Sequence, residues 1–259
     1  MTQKERRLFL IRELLKENPS YENIKIPSGE KEQKNLLRSL FNVRNPAPAT
    51  KEFLTIQDAY LQEEISKKGI TDFSSLTPEK DNLYLWKGDI TTLRCDAIVN
   101  AANSRLLGCF IPCHLCIDNQ IHTFGGIQLR LACDEQMTKQ GREEEAGKAK
   151  ITPAFNLPCE YVIHTVGPIV KNAPTKEDKT LLASCYSSCL SLAEQNNVKS
   201  IAFCCISTGE FRFPQEPAAR IAIDTIEKYL KEKQSEIKVI FNVFKDTDLE
   251  IYSRLLRSN

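Results

Sequence analysis

The chain has no apolar run near the roughly 20 residues that a membrane span needs, no internal repeat and no low-complexity segment. Net charge is almost absent as well. Thirty-five basic against 34 acidic residues leave a formal +1, so no overall field draws the protein to nucleic acid or to an anionic membrane. The opening Met1-Thr2-Gln3-Lys4-Glu5-Arg6-Arg7 is charged and leads into an amphipathic pattern, unlike the apolar core of a secretory signal. Ten cysteines without such a signal read as thiols and metal ligands rather than a disulfide framework, which makes the expected location cytoplasmic. No Gly-Lys-Ser/Thr phosphate loop is present, and no second Cys-x2-Cys pair exists to complete a four-ligand structural zinc site. What is there is an ordinary globular composition, 41% hydrophobic and 27% charged, in 259 residues, enough for one large domain or two smaller ones.

Leu8, Ile11, Leu14 and Leu15 recur at helical spacing and predict a helix over 3–17, stopped by Asn18-Pro19. Leu36, Leu37, Leu40 and Phe41 repeat the pattern over 33–43, and Asn45-Pro46-Ala47-Pro48-Ala49 breaks it. A third helix starts near Thr50 and ends at Gly69. Residues 1–75 thus read as a helical extension, too small to bury much core alone and expected to pack on the remainder of the chain. From about Leu83 strand-like runs begin: 83–86, 97–99, 161–164, 200–205 and 238–244, separated by helical patterns near 121–140, 178–196, 216–232 and 247–257. Strands alternating with helices predict a largely parallel sheet covered on both faces, with ligand bound beyond the carboxyl ends of the strands.

Four segments fall at those ends. Asp89, in Trp86-Lys87-Gly88-Asp89-Ile90-Thr91, is either a turn residue or an acceptor for an exocyclic amine such as adenine's. Asn100-Ala101-Ala102-Asn103 pairs amides suited to ribose hydroxyls with small residues that let backbone approach a ligand. Ser207-Thr208-Gly209-Glu210-Phe211-Arg212-Phe213-Pro214 leads into a helix, an arrangement that offers backbone N–H groups to phosphate. Phe244 follows the last strand and either stacks on a base or packs in the core.

The densest chemistry lies in residues 108–122, where three cysteines and two of the three histidines share fifteen positions. Cys109, His114 and Cys116 are spaced Cys-x4-His-x-Cys, and Cys113 with Cys116 forms a Cys-x2-Cys, so Cys113 is an alternative ligand. Three protein ligands with an open fourth position are the arrangement of catalytic zinc, which polarises a substrate oxygen or lowers the pKa of a bound water to about 7. Asp118 follows the ligands and is a candidate general acid/base; it or Asn119 is also a candidate helix cap, and the two roles are compatible. His122 reads as a core or supporting residue, and His164 as a strand residue.

Taken in order, Gly88-Asp89-Ile90-Thr91, Asp96-Ala97-Ile98-Val99-Asn100-Ala101-Ala102-Asn103-Ser104, His164-Thr165-Val166-Gly167-Pro168 and Ser207–Pro214 resemble the macrodomain family of ADP-ribose-binding modules over about residues 83–259. Many catalytic members carry a glycine run followed by Val-Asp-Gly-x-Ile-His. The Cys/His segment standing in its place here resembles the zinc-dependent branch, which also has a helical N-terminal extension. The resemblance implies a three-layer α/β/α fold with a mixed, largely parallel central sheet, residues 76–259 forming the macrodomain and 1–75 the extension. It implies that Asp89 contacts adenine, that Ile90 beside it also belongs to the ADP-ribose-binding residues, that Phe244 stacks on adenine, that Ser207, Thr208, Gly209, Glu210 and Phe211 wrap the diphosphate, with Phe211 beside the distal ribose, and that Asn103 orients that ribose. Glu210 then has to point away from the phosphates, while Arg212 aids them. Cys109, His114 and Cys116 become ligands of Zn2+, and Asp118 falls where glycine-rich members carry an Asp assigned to water activation. The implied activity is hydrolysis of mono-ADP-ribose from modified protein side chains, with ester linkage to acidic residues. The protein is then a monomer whose substrate is a mono-ADP-ribosylated protein and whose product is free ADP-ribose, with no nucleic-acid or membrane partner. A reader that binds ADP-ribose without cleaving it, and an esterase acting on O-acyl-ADP-ribose, are the rival readings.

Overall fold

The computed structural model describes residues 1–258. Its first helix, α1 (Gln3–Lys16), opens with a reciprocal cap: the Thr2 hydroxyl accepts the Glu5 amide at 3.2 Å and the Glu5 carboxylate accepts the Thr2 amide at 2.7 Å. Helix α2 (Glu30–Val43) follows, and then α3 (Lys51–Lys68), which Thr50 caps and Gly69 ends. Leu10, Ile11, Leu14, Leu37, Leu40, Phe41, Phe53 and Leu61 lie on the inner stripes of these helices and are almost fully buried against one another. Ile127 of the main body belongs to the same cluster, so the extension's core is closed by the domain it sits on.

The body contains strands β1 (Thr71–Asp72), β2 (Pro78–Lys80), β3 (Leu83–Lys87), β4 (Leu93–Arg94) and β5 (Ala97–Ala102), helices α4 (Ile117–Gly125) and α5 (Ile127–Gln140), strands β6 (Ala149–Pro153) and β7 (Tyr161–Val166), then α6 (Lys176–Gln195), β8 (Ser200–Phe203), α7 (Gln215–Lys233), β9 (Lys238–Val243) and α8 (Asp246–Ser258). Seven strands form one sheet in the order β2-β3-β9-β8-β5-β7-β6, and β1 pairs with β4 apart from it. The five inner strands are parallel, and only the edges β2 and β6 run antiparallel. Ile98, Val99, Val162, Ile163, Ile201, Val239 and Ile240 are fully buried, as strands covered on both faces require. Asn100 and His164 point toward α4 and α5, whereas Thr165 faces Cys185 of α6, which gives three layers. Asp96 fixes the entry to β5: its carboxylate accepts the amides of Lys199 (2.6 Å) and Ser200 (3.0 Å), and its own amide donates to the Ser200 hydroxyl at 2.9 Å.

One expectation needs correction. The single helix over 121–140 is two helices broken at Gly126, because the Ile127 amide turns out of the helical ladder to donate to Gln57 Oε1 of α3 at 3.0 Å. Strand β6 has no counterpart in the apolar pattern, since an edge strand that is mostly half-exposed and ends on a proline carries no continuous apolar run. No helix among the described residues is long and apolar enough to cross a membrane.

Candidate active site

The carboxyl ends of β3, β9, β8 and β5 carry Asp89, Phe244, the 207–213 loop and Asn103 in that spatial order. At the β3 end, Asp89 Oδ1 accepts the amide (3.0 Å) and hydroxyl (2.6 Å) of Thr91. Its Oδ2 meets Lys68 Nζ of α3 at 2.8 Å, and that ammonium lies 3.3 Å from the centre of the Phe124 ring. Burial works to raise the Asp89 carboxyl, but Lys68 and Thr91 outweigh it and hold it below its ordinary range. Phe244 is 74% exposed, which removes the core alternative for it.

The loop after β8 is compact. The Phe213 amide donates to Ser207 O at 2.9 Å and the Arg212 amide to Gly209 O at 3.0 Å, with Ser207 and Arg212 both in left-handed conformations. The amides of Gly209, Glu210 and Phe211 have no protein acceptor among the described residues. Ser207 Oγ is buried without a partner. Glu210 turns across the cleft, and its Oε1 lies 3.7 Å from His114 Nε2.

Beyond β5, the Asn103 amide donates to Gly108 O (3.1 Å) and to Asp118 Oδ2 (3.2 Å), while the buried Asn100 donates to Asp118 Oδ1 at 2.8 Å and contacts His164 Nδ1 at 3.2 Å. Asn100 is therefore fully inside and only Asn103 of the pair reaches the cleft. Burial pushes the Asp118 carboxyl up to about 6 against the opposing pull of Asn100, Arg130 and Asn103. Neither Asp118 nor Asn119 caps α4. The cap is Cys116, whose sulfur accepts the Asn119 amide at 3.4 Å. His122 Nε2 lies 3.5 Å from Asp118 Oδ1, but burial, with His164 and Arg130 nearby, holds the ring neutral, so the contact is not an ion pair. Gly108 adopts φ +77° with its Cα against the His122 ring, where a side chain has no room.

The ligand atoms of Cys109, His114 and Cys116 all lie within 4.8 Å of one another. A tetrahedral ion with sulfur at about 2.3 Å and nitrogen at about 2.0–2.1 Å sets the S···N distance near 3.6 Å. The Cys109 Sγ–His114 Nδ1 distance is 3.6 Å, so the donor set and its spacing fit such an ion. The outer His114 nitrogen faces Glu210, the side on which metal-ligating histidines commonly meet a carboxylate. Burial pushes the Cys116 thiol up to about 12, and a cation at the cluster is what would draw its proton off. Cys113 is not part of the cluster: its sulfur faces Ser39 Oγ at 3.3 Å and Asn35 O at 3.4 Å on α2. A second set, His122, Cys133 and His164, also falls within 4.8 Å, but His164 is engaged by Asn100 at one ring nitrogen and by Thr152 Oγ1, 3.0 Å away, at the other.

Lys68, Arg38, Asn42 and Asn119 complete the site and have no counterpart among the site residues read from sequence. The Asn119 side chain donates to Cys109 O (3.2 Å) and Ile111 O (3.0 Å), holding the loop's first half. A polar residue one step past the candidate acid was the available signal; nothing local marks Lys68 or Arg38.

Fold and site define a three-layer α/β module that gathers polar and aromatic groups at the carboxyl ends of its parallel strands and presents a thiol–imidazole cluster at one end. A model of the Macro domain family matches residues 99–222. The protein-ADP-ribose hydrolase of Treponema medium is 58% identical over 260 residues, spanning 99% of this chain and 100% of that one. The protein-ADP-ribose hydrolase of Staphylococcus aureus strain MSSA476 is 51% identical over 94% of this chain and 92% of its own length. Among solved structures, the Oceanobacillus iheyensis macrodomain with ADP superposes with a TM-score of 0.63 at 37% identity, covering 71% of this chain and 94% of that one. The Trypanosoma brucei macrodomain in complex with ADP-ribose gives 0.65 at 29% identity, covering 84% and 94%. The chain belongs to the macrodomain family.

Proposed function

We propose that this protein is a zinc-dependent hydrolase that releases mono-ADP-ribose from modified protein side chains, with ester-linked acidic residues as the modified sites. The observation that carries the reading is the order of motifs along the sheet edge. Strands β3, β9, β8 and β5 are consecutive neighbours, so an acceptor for adenine, an exposed aromatic, a loop with free amides and a ribose-orienting amide follow one another over three strand steps. At roughly 4.8 Å per step these span about 14 Å, and the Cys109–His114–Cys116 cluster stands at the ribose end. The whole-length likeness to proteins named protein-ADP-ribose hydrolases supports the same reading.

In this scheme Asp89 accepts the adenine amine and Phe244 stacks on the base. The amides of Gly209, Glu210 and Phe211 donate to the diphosphate, and Asn103 orients the distal ribose. Asp118, held by the amides of Asn100 and Asn103, takes the proton given up as water adds. Cys109, His114 and Cys116 would hold the zinc, which would supply Lewis-acid polarisation of a substrate oxygen. Interactions remote from the scissile bond, at adenine and diphosphate, fix its position.

The test is zinc analysis of the purified protein alongside release of ADP-ribose from an ester-modified protein, with and without chelator. Zinc close to one per chain and turnover abolished by chelation are expected. Binding of ADP-ribose with no release from any modified protein overturns hydrolysis in favour of a reader. Full turnover by Cys109→Ala lacking zinc removes the metal from the reaction. Faster turnover of O-acyl-ADP-ribose than of modified protein makes the small ester the substrate.

A further inference from the structure

The loop that carries the proposed ligands has little apolar burial to hold it. Ile111 is 59% and Leu115 80% exposed, and Phe110 is half-buried with the Arg130 guanidinium 4.2 Å from its ring centre. Polar contacts fix the loop instead, and several of them come from α2 in the N-terminal extension. The Arg38 guanidinium donates to the carbonyl of His114 at 2.6 Å and to Asn119 Oδ1 at 2.8 Å. Asn119 is the residue that bonds the carbonyls of Cys109 and Ile111. Asn42, only 1% exposed, accepts the Cys113 amide at 2.9 Å and donates to Thr123 Oγ1 at 2.9 Å. Cys113 sits at φ +54°, a conformation a non-glycine residue holds only when its surroundings enforce it. Its amide is tied to Asn42, and its sulfur rests on Ser39 and Asn35.

We infer that α2 is a working part of the metal site: Arg38 and Asn42 are positioning residues that hold the Cys109–Cys116 loop in its ligating conformation. The inference rests on the metal reading proposed above and assigns the extension a role in it. The physical reason is geometric. His114 and the cysteines lie on a loop whose backbone is pinned at Cys109 O, Ile111 O, Cys113 N and His114 O, the last two directly from α2. Releasing the His114 carbonyl frees the imidazole's backbone and lets the S···N spacing drift from the value a tetrahedral ion needs. Groups that orient metal ligands typically change affinity about 10–100-fold when lost.

The experiment measures zinc affinity of the full-length protein by competition with a chromogenic chelator, together with the zinc-induced rise in Tm. Arg38→Met keeps the aliphatic stem and removes the donors; Arg38→Lys restores one charged donor. Lys34→Met is the control on the same helix, because Lys34 pairs with Glu30 and Glu64 and touches nothing in the loop. Expected are a 10–100-fold weaker zinc affinity and a smaller zinc-induced Tm rise for Arg38→Met, partial recovery in Arg38→Lys, and wild-type affinity in Lys34→Met. A merely structural Arg38 lowers Tm equally with and without zinc and leaves the affinity at the Lys34→Met value; that result overturns the inference. If Arg38→Met does not fold, Arg38→Lys and Asn42→Ser supply the same comparison. Wild-type affinity in the Arg38 variants, with zinc lost in Cys109→Ser, ends the inference and leaves the metal site standing. A wild-type protein that takes up no zinc sensitive to Cys109→Ser ends both.

Discussion

Replacing Gly108 with alanine inserts a methyl group where the chain already touches the His122 ring. An added Cβ would lie 2.7 Å from Cγ, 2.8 Å from Cδ2 and 3.0 Å from Nδ1 of that ring. The ring has nowhere to retreat: its side chain is 2% exposed, Asp118 Oδ1 is 3.5 Å from one nitrogen, and the His164 ring lies 5.9 Å away, centre to centre. Two costs add. Alanine in the left-handed region costs about 1–2 kcal/mol, and forcing a methyl group into a packed site costs about 1–3 kcal/mol, giving ~2–5 kcal/mol in all. Gly141 separates the two, because it has φ +72° but nothing within 4 Å of an added Cβ. Gly141→Ala is therefore expected to lose only the first, ~1–2 kcal/mol. Urea unfolding of both variants, read from the midpoint at unchanged m-value, measures the difference. Because Asn103 bonds the Gly108 carbonyl, Gly108→Ala is also expected to weaken ADP-ribose binding, measured by calorimetry, while Gly141→Ala is not. If Gly108→Ala is no less stable than Gly141→Ala, the close approach to His122 is not a constraint on this fold and the reasoning fails.

Burial lowers the His164 pKa to about 3, against about 6.5 for a free imidazole. The unfolded chain binds this proton first, so His164 contributes stability that is complete above pH 6.5 and is lost as pH falls toward 3, by at most about 1.4 kcal/mol per pH unit. Asp118, raised to about 6, acts with opposite sign below that pH, so the measurement is the difference between wild type and His164→Gln in urea titrations at pH 7 and 4.5; equal pH dependence in the two refutes it. Asp89→Ala removes a charged acceptor worth about 1.5–3 kcal/mol, and ADP-ribose affinity is expected to fall about 10–150-fold, while the inosine analogue, which has no exocyclic amine, changes far less in calorimetry. Equal losses for both ligands place adenine elsewhere. Cys113→Ser is expected to keep its zinc because its sulfur faces α2 rather than the cluster, whereas Cys109→Ala loses it; metal analysis decides, and zinc lost from Cys113→Ser reassigns the ligand set.

The parallel strands were readable because strands covered on both faces are continuous apolar runs, as at Ile98-Val99 and Val239-Ile240-Phe241. Strand β6 was not, with Lys150 and Pro153 in an edge position. The break at Gly126 was hidden because apolar residues continue on both sides of it, at Ile121 and at Ile127 and Leu129, and the bond that turns the backbone comes from Gln57, some seventy residues earlier. Cap chemistry misled in one place: Asp and Asn are preferred caps, yet Cys116 takes the position and leaves Asp118 buried beneath Asn100 and Asn103. Spacing left Cys113 able to replace one of the three ligands, but at φ +54° its sulfur faces Ser39 and Asn35.

Residue chemistry and apolar period are local properties, and they were enough for the α/β class, the helical extension and the motifs at the strand ends. The spatial order of those motifs is not local. Along the chain they run Asp89, Asn103, Ser207, Phe244; across the sheet they run Asp89, Phe244, Ser207, Asn103, because crossovers set β9 and β8 between β3 and β5. The contacts of the extension are likewise a matter of where the chain returns. Arg38 reaches His114 and Lys68 reaches Asp89 only because α2 and α3 pack over the same end of the sheet, and hydrogen-bond partners that far apart in sequence leave no mark on the residues between them.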